Sequence, residues 1–242
     1  VNFLKKGSRL KRLNRGIILA IILFLSLIIY IIFDTISFNS SKPDIESFIQ
    51  NYVLEIEDVS ITPTKYQNVS YEPLPTEMQN EIKDKIDTIA DKYWAEPLEG
   101  NWNGWGVNKS DFINLKREIF TKERREYLGL GYVKKCNHNI SSKIKMIKTG
   151  PNTAGITFSM EVTYEYAGNP HFITMVYGNA HKEFLTQQYH GEQKAIEKPT
   201  DEVYLTKLKF ENVGIIMAKE KGVWKIREIT GWHANILNEK VG

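Results

Sequence analysis

The sequence predicts an α+β chain in which one transmembrane helix precedes a domain of three helices packed on a curved four-stranded antiparallel sheet. Three observations predict it. An uncharged apolar run covers Gly16 to Phe33. Apolar residues then recur three or four apart in three stretches between residues 44 and 128, the spacing of a buried helix face. From Lys143 onward the apolar period drops to two, the spacing of strands with one face buried.

The apolar run holds eighteen residues, with Ser26 its one polar side chain, about the length that crosses a hydrocarbon core of ~30 Å. A soluble core helix of that length would keep a polar face, and this one has none. Lys5, Lys6, Arg9, Lys11, Arg12 and Arg15 precede it with no acid among them, whereas Asp34 and uncharged residues follow. Positive flanks stay cytoplasmic, so residues 1–15 are expected inside, 16–34 in the membrane, and the rest outside as a single-pass protein. A cleaved signal peptide would have a shorter apolar stretch and small residues at its cleavage site, which Ile32-Phe33-Asp34-Thr35-Ile36 does not offer. No cysteine lies near Phe33, which excludes a lipoprotein anchor.

The net charge of +3 loses its basic meaning once the tail is set aside, because the part beyond Ser41 has 26 Lys and Arg against 28 Asp and Glu. Nucleic acid is therefore not an expected partner. The tail charges serve topology and contact with anionic membrane lipid. The single cysteine, Cys136, excludes an intramolecular disulfide. An outside domain without disulfides must rest on a packed core and fits a bacterial surface. The sequons at Asn68, Asn108 and Asn139 are then accidental.

In order along the chain, residues 35–43 read as a polar linker ending at Pro43, and the outer domain covers 44–238. Asp44 stands as a helix N-cap before Ile45, Phe48, Ile49, Tyr52 and Val53. Residues 57–75 contain Pro63, Pro73 and Pro75 and read as loop. Thr76 is the expected cap of a second helix bearing Met78, Ile82, Ile86, Ile89, Tyr93 and Trp94 inward. A Gly/Asn loop, 100–106, carries Trp102 and Trp105. A third helix is expected from Ser110 to Leu128, with Phe112, Leu115, Ile119 and Phe120 inward and Gly129 at its end.

In the strand region, Ile156, Phe158, Met160, Val162, Tyr164 and Tyr166 alternate with polar residues. Asn169-Pro170 turns the chain into a second long strand, from Phe172 to about Gln188, and 191–200 reads as loop. Val203 to Lys219 and Val223 to Trp232 form a hairpin through Lys221-Gly222. Parity changes between Phe210 and Val213, and again between Ile226 and Ile229. A one-residue slip within a strand means a bulge, and bulges bend sheets.

Three helices before four long, bent strands resemble the NTF2-like, or cystatin-like, fold, in which a curved sheet wraps a helix. With a single transmembrane helix in front, the arrangement over residues 16–232 resembles VirB8-type secretion components and their Gram-positive conjugation counterparts. The family's Asn-Pro-x-Gly signature is met halfway, since Asn169-Pro170 is followed by His171-Phe172. The resemblance implies a scaffold that contacts other envelope or secretion-channel proteins and forms homo-oligomers through its outer domain.

The chemistry-bearing residues point away from catalysis. His138, His171, His181, His190 and His233 have no metal-site spacing, and His171 and His181, on one strand, would lie ~33 Å apart. Cys136 beside Lys134, Lys135 and His138 reads as an incidental thiol, because a nucleophile needs a positioned base. Glu161 and Glu165 fall on the polar strand face, and with Asp111 they are the visible carboxylates for a pocket enzyme of this fold. No cofactor and no metal is expected. Trp102 and Trp105 are candidates for stacking on a cell-wall polymer, or for closing the core. Residues 42–108 carry a net −8 and residues 109–148 a net +7, which makes Arg124, Arg125, Lys134 and Lys135 candidate interaction residues. The functional expectation is a non-enzymatic assembly component of an envelope machine of conjugative or type IV secretion kind. The alternatives are a module that binds cell-wall glycan or regulates a wall enzyme, and a small-molecule pocket enzyme of this fold.

Overall fold

The apolar run does what its composition demands and forms helix, as the N-terminal part of α1 (Arg15–Ser60). The computed structural model describes residues 15–67, 75–96, 106–117, 130–169, 171–173, 179–181, 201–231 and 233–241. Side chains are described for 16–67, 75–96, 106–114, 131–168 and 201–231. The chain divides into two compact units, 1–44 and 45–242.

In the first unit, large apolar residues from Ile17 to Phe33 are exposed, Leu23 at 62% and Phe33 at 69%. This is the one helix among the described residues long and apolar enough to cross a membrane. Helix continues where the sequence suggests a linker over 35–43 and a new N-cap at Asp44. Pro43 removes one N–H from the ladder, yet its fixed φ is compatible with helix, so the break expected there does not form. Nearby hydroxyls fold back onto the same helix: Thr35 donates to the Ile31 carbonyl at 2.8 Å and Ser41 to that of Ser37 at 2.8 Å.

In the second unit, α1 buries Ile45, Ile49, Tyr52, Val53 and Ile56, each contributing about 1.5–3 kcal/mol of apolar burial. A 3-10 turn, Thr64–Tyr66, lies in the proline-rich segment read as loop. α2 (Thr76–Tyr93) buries Met78, Ile82, Ile86, Ile89 and Tyr93, and Trp94 follows them into the core. Its cap is Pro75 rather than Thr76, which is already helical and makes no capping bond. α3 is described over Lys109–Arg117 with Phe112 buried, and the rest of the expected helix to Leu128 lies outside the described residues. Trp94 stacks on Phe112 at 5.0 Å between ring centroids, which ties α2 to α3.

The sheet has four antiparallel columns. β3 (Thr153–Asn169) and β6 (Val203–Glu220) are the long central pair. β1 (Leu130–Ile140) and β2 (Lys145–Gly150) pair with successive parts of β3. β7 (Val223–Ile229) and β8 (His233–Val241) do the same along β6. β3 buries the six alternating residues from Ile156 to Tyr166. Both expected bulges are present. The β3–β6 register shifts between Phe158 and Met160, opposite Asn212 with φ +54°, and the β6–β7 register shifts at Ile216/Met217, opposite Arg227. The β6–β7 turn takes positive φ at Lys221 (+49°) and Gly222 (+87°), the pair that joins twisted strands in two residues. Helices on a bent antiparallel sheet are the arrangement that the NTF2-like resemblance implies.

The strand expected over Val223–Trp232 ends at Ile229, with β8 following it unexpectedly, and two further strand expectations change. β1 forms over Leu130–Ile140, where no strand is expected from the sequence, because a register shift between Val133 and Lys135 breaks the alternation. The long strand expected from Phe172 is instead two short ones, β4 (His171–Ile173) and β5 (Asn179–His181), paired with each other. The chain reverses between them, so His171 and His181 are direct cross-strand partners rather than ~33 Å apart. Among the residues whose side chains are described, no group of three or more His, Cys, Asp or Glu is arranged to hold a metal ion.

Candidate functional site

A strand at the margin of a sheet exposes unpaired backbone groups, and β1 is such a strand beyond its pairing with β3. The end of α1 and the residues after it cover this edge. Thr62 donates its N–H to the Val133 carbonyl at 2.9 Å and accepts the Val133 N–H on its hydroxyl at 3.1 Å. Five residues earlier, within α1, the Glu57 carboxylate accepts the His138 N–H at 2.7 Å, and its same oxygen lies 3.4 Å from His138 Nδ1. The His138 side chain is fully buried, and its Nε2 has no partner among the described residues.

Cys136, two residues back on the same face of β1, places Sγ 3.6 Å from the same Nδ1. Ser60 of α1 and Tyr164 of β3 complete the cluster around the thiol. Its electrostatics are those of a closed polar core. The hydrogen bond from the His138 ring holds the Glu57 carboxyl below the usual carboxylate range. Burial, followed by the Glu57 charge, pushes the Cys136 thiol up to about 12. Burial likewise raises the Tyr164 phenol. A thiol so protonated is a poor nucleophile, and sulfur and carboxylate compete for one imidazole nitrogen rather than forming a relay through two. The cluster can fix α1 against β1 and β3.

The residues singled out from sequence are placed as follows. Trp102, Trp105, Arg124 and Arg125 lie outside the described residues. Lys134 and Lys135 both reach Glu165, at 2.7 and 3.0 Å, the bulge between Val133 and Lys135 having turned neighbouring lysines toward one carboxylate. The Lys134 bond, then that of Lys135, holds the Glu165 carboxyl below its usual range. Glu161 pairs with Lys207 at 2.6 Å, so both strand glutamates lie on the polar face with a cation at hand. Asp111 and Asn108 exchange backbone-to-side-chain bonds at 3.2 and 3.0 Å, which caps α3. Each of the three visible carboxylates thus has a local structural partner.

Among the described residues, Lys109 joins the acidic stretch to the basic one by ion pairs. Lys109, almost fully buried, lies 2.9 Å from Asp91 and also bonds Glu96, joining the first residue of α3 to the end of α2. The Glu57–His138 contact was not visible from sequence, since it joins residues 81 apart. The shared parity of Cys136 and His138 was the one local signal for it.

No protein-family model matches the chain, and no curated protein matches it in sequence. Two solved structures are similar in outline. A type 2 hexachlorocyclohexane dehydrochlorinase is 7% identical with a TM-score of 0.34, covering 86% of this chain and 91% of its own. An IcmL-like type IV secretion system protein from Legionella pneumophila is 13% identical with a TM-score of 0.22, covering 78% and 93%. At these identities and scores, neither likeness carries a residue role or a function across to this chain.

Proposed function

We propose that this chain is a single-pass membrane protein, with its N-terminus in the cytoplasm, whose outer domain holds partners of a bacterial envelope machine together without catalysing a reaction. Conjugative transfer and type IV secretion are the machines that its architecture suits. The observation that carries the reading lies in α1: its large apolar residues from Ile17 to Phe33 are all exposed, whereas Ile45, Ile49, Tyr52, Val53, Ile56 and Val59 further along it are buried. An apolar helix with no protein around it finds its natural solvent in lipid. The polar cluster on β1 supports a non-enzymatic reading, because its groups bond one another and the thiol is held protonated.

Crosslinking on intact cells, gentle detergent extraction and capture through a C-terminal tag test the proposal. Recovery of a secretion ATPase or channel subunits is the expected outcome. Capture of the protein alone overturns the assembly reading. Capture of wall fragments that a Trp102→Ala, Trp105→Ala variant no longer retains overturns it in favour of wall binding. Extraction of the untagged membrane fraction by alkaline carbonate checks the anchor separately, since a cleaved or peripheral protein is released and a spanning one is retained.

A further inference from the structure

The margins of the sheet differ in how their outward backbone groups are met. The edge of β1 is covered by Thr62 and Glu57. That of β7 is covered by Ala95, which donates its N–H to the Ile226 carbonyl at 2.7 Å, and by Val107, which exchanges two bonds with Ile229 at 2.9 Å. β2 (Lys145–Gly150) pairs with β3 alone, and among the described residues no strand or bridge lies along its other side.

The register fixes what that side offers. His138, opposite Val162, turns its N–H away from β3, so the residues of β3 that bond toward β1 and β2 are the odd-numbered ones. Ser159 conforms, accepting the Ser141 N–H at 2.9 Å. Thr157 and Gly155 therefore bond Lys145 and Ile147, and Met146 between them directs its N–H and carbonyl outward. Ile147 is 69% exposed, since its cross-strand partner, Gly155, has no side chain to cover it.

Charge also sets this margin apart. Lys134 and Lys135 reach Glu165, Lys207 reaches Glu161 and Lys209 reaches Glu211. Exposed Lys143 and Lys145 have no ion pair among the described residues, and from Ser141 to Asn152 the chain holds three lysines and no acid. A second copy paired along this edge would bring its own lysines alongside, and like charges close across a pair destabilise it. A strand bearing carboxylates meets the opposite condition.

We propose that β2 is a docking edge for an extended, acidic segment of another protein, which adds to the sheet as a further strand. The inference deepens the assembly reading above, on which it rests, by giving the chemistry of one partner. Met146 supplies main-chain bonds. The residue opposite Ile147 falls in the closer, non-hydrogen-bonded kind of pair, about 4.5 Å between Cα atoms, and is apolar. Two positions away, on the same face and opposite Lys145, stands Asp or Glu.

The test uses the full chain in detergent and a fluorescent peptide repeating Glu-Thr-Val-Thr, whose glutamates and valines share one face as a strand. Binding is expected in anisotropy titrations, weakened about tenfold by Lys145→Glu and by Ile147→Asp, both at exposed positions. Met146→Pro deletes the outward N–H at an edge position, where proline is accepted, and is expected to weaken binding about tenfold with the circular dichroism unchanged. N-methylation of the peptide's threonines, which face Met146, removes main-chain bonds from the other side and should weaken binding equally. Binding that responds to Lys145→Glu but not to loss of those main-chain bonds is charge attraction without strand pairing and overturns the inference. Absence of binding overturns it too and leaves the assembly reading to the capture experiment. On intact cells, a photo-reactive group at position 147 should crosslink to an acidic segment of a protein recovered in that capture; crosslinks confined to a second copy or to the chain itself overturn the inference and leave the captured assembly standing.

Discussion

The bond from His138 N–H to Glu57 is the contact whose loss the structure prices most directly. Glu57→Ala leaves a backbone donor at a covered sheet edge without its acceptor, which costs about 1–3 kcal/mol. For a domain of this size that is a fall in Tm of roughly 2–4 °C per kcal/mol. The pH dependence has a defined sign. The Glu57 carboxyl is held below its usual range in the fold, so its contribution is fully present above the unfolded value, about 4.3, and is lost as pH falls through the folded one. Thermal melts followed by circular dichroism on detergent-solubilised wild type and Glu57→Ala at pH 7 read the first effect, and the same melts on wild type and Glu57→Gln between pH 7 and pH 3 read the second. The gap between the two proteins is expected at pH 7 and should close as pH drops below about 4. A gap that is absent at pH 7, or constant across the range, refutes the clasp.

Other expectations follow from single positions. At Gly106, a Cβ would sit 2.2 Å from the buried Glu228 carboxylate and 2.6 Å from the Ile229 carbonyl, so Gly106→Ala should destabilise by about 1–3 kcal/mol in denaturant titration. Gly222→Val places a β-branched residue at φ +87°, and a loss of at least about 1 kcal/mol is expected although nothing lies within 4 Å of the new Cβ. Cys136 should resist maleimide at pH 7.5 in the folded protein and react fully in guanidinium, as mass spectrometry would register; rapid native labelling contradicts a buried thiol raised to about 12. Lys109→Ala removes the cation that joins Asp91 and Glu96 at the start of α3, and earlier proteolysis of that segment is the expected sign.

Local periodicity alone determined the apolar run, the inward faces of α1 and α2, the alternation of β3 and both bulges of the central hairpin. Each of these is written in side-chain spacing, because burial on one face selects residues three to four apart in a helix and two apart in a strand. Residues 35–43 misled because polar residues and a proline resemble a linker, whereas helix geometry tolerates that proline and side-chain hydroxyls bond the carbonyls nearby. β1 was hidden because its bulge breaks the alternation and its free edge is satisfied by Thr62 and Glu57. The pairing of His171 with His181 depends on a chain reversal that no periodicity records. The charge of Lys134 and Lys135 was legible, but its attachment to Glu165 was not, since β1 and β3 bring together residues thirty apart. Spacing along a chain reports which side of an element is buried. What that side meets is decided by tertiary packing, and so are the pairing of charges and the protonation of Cys136.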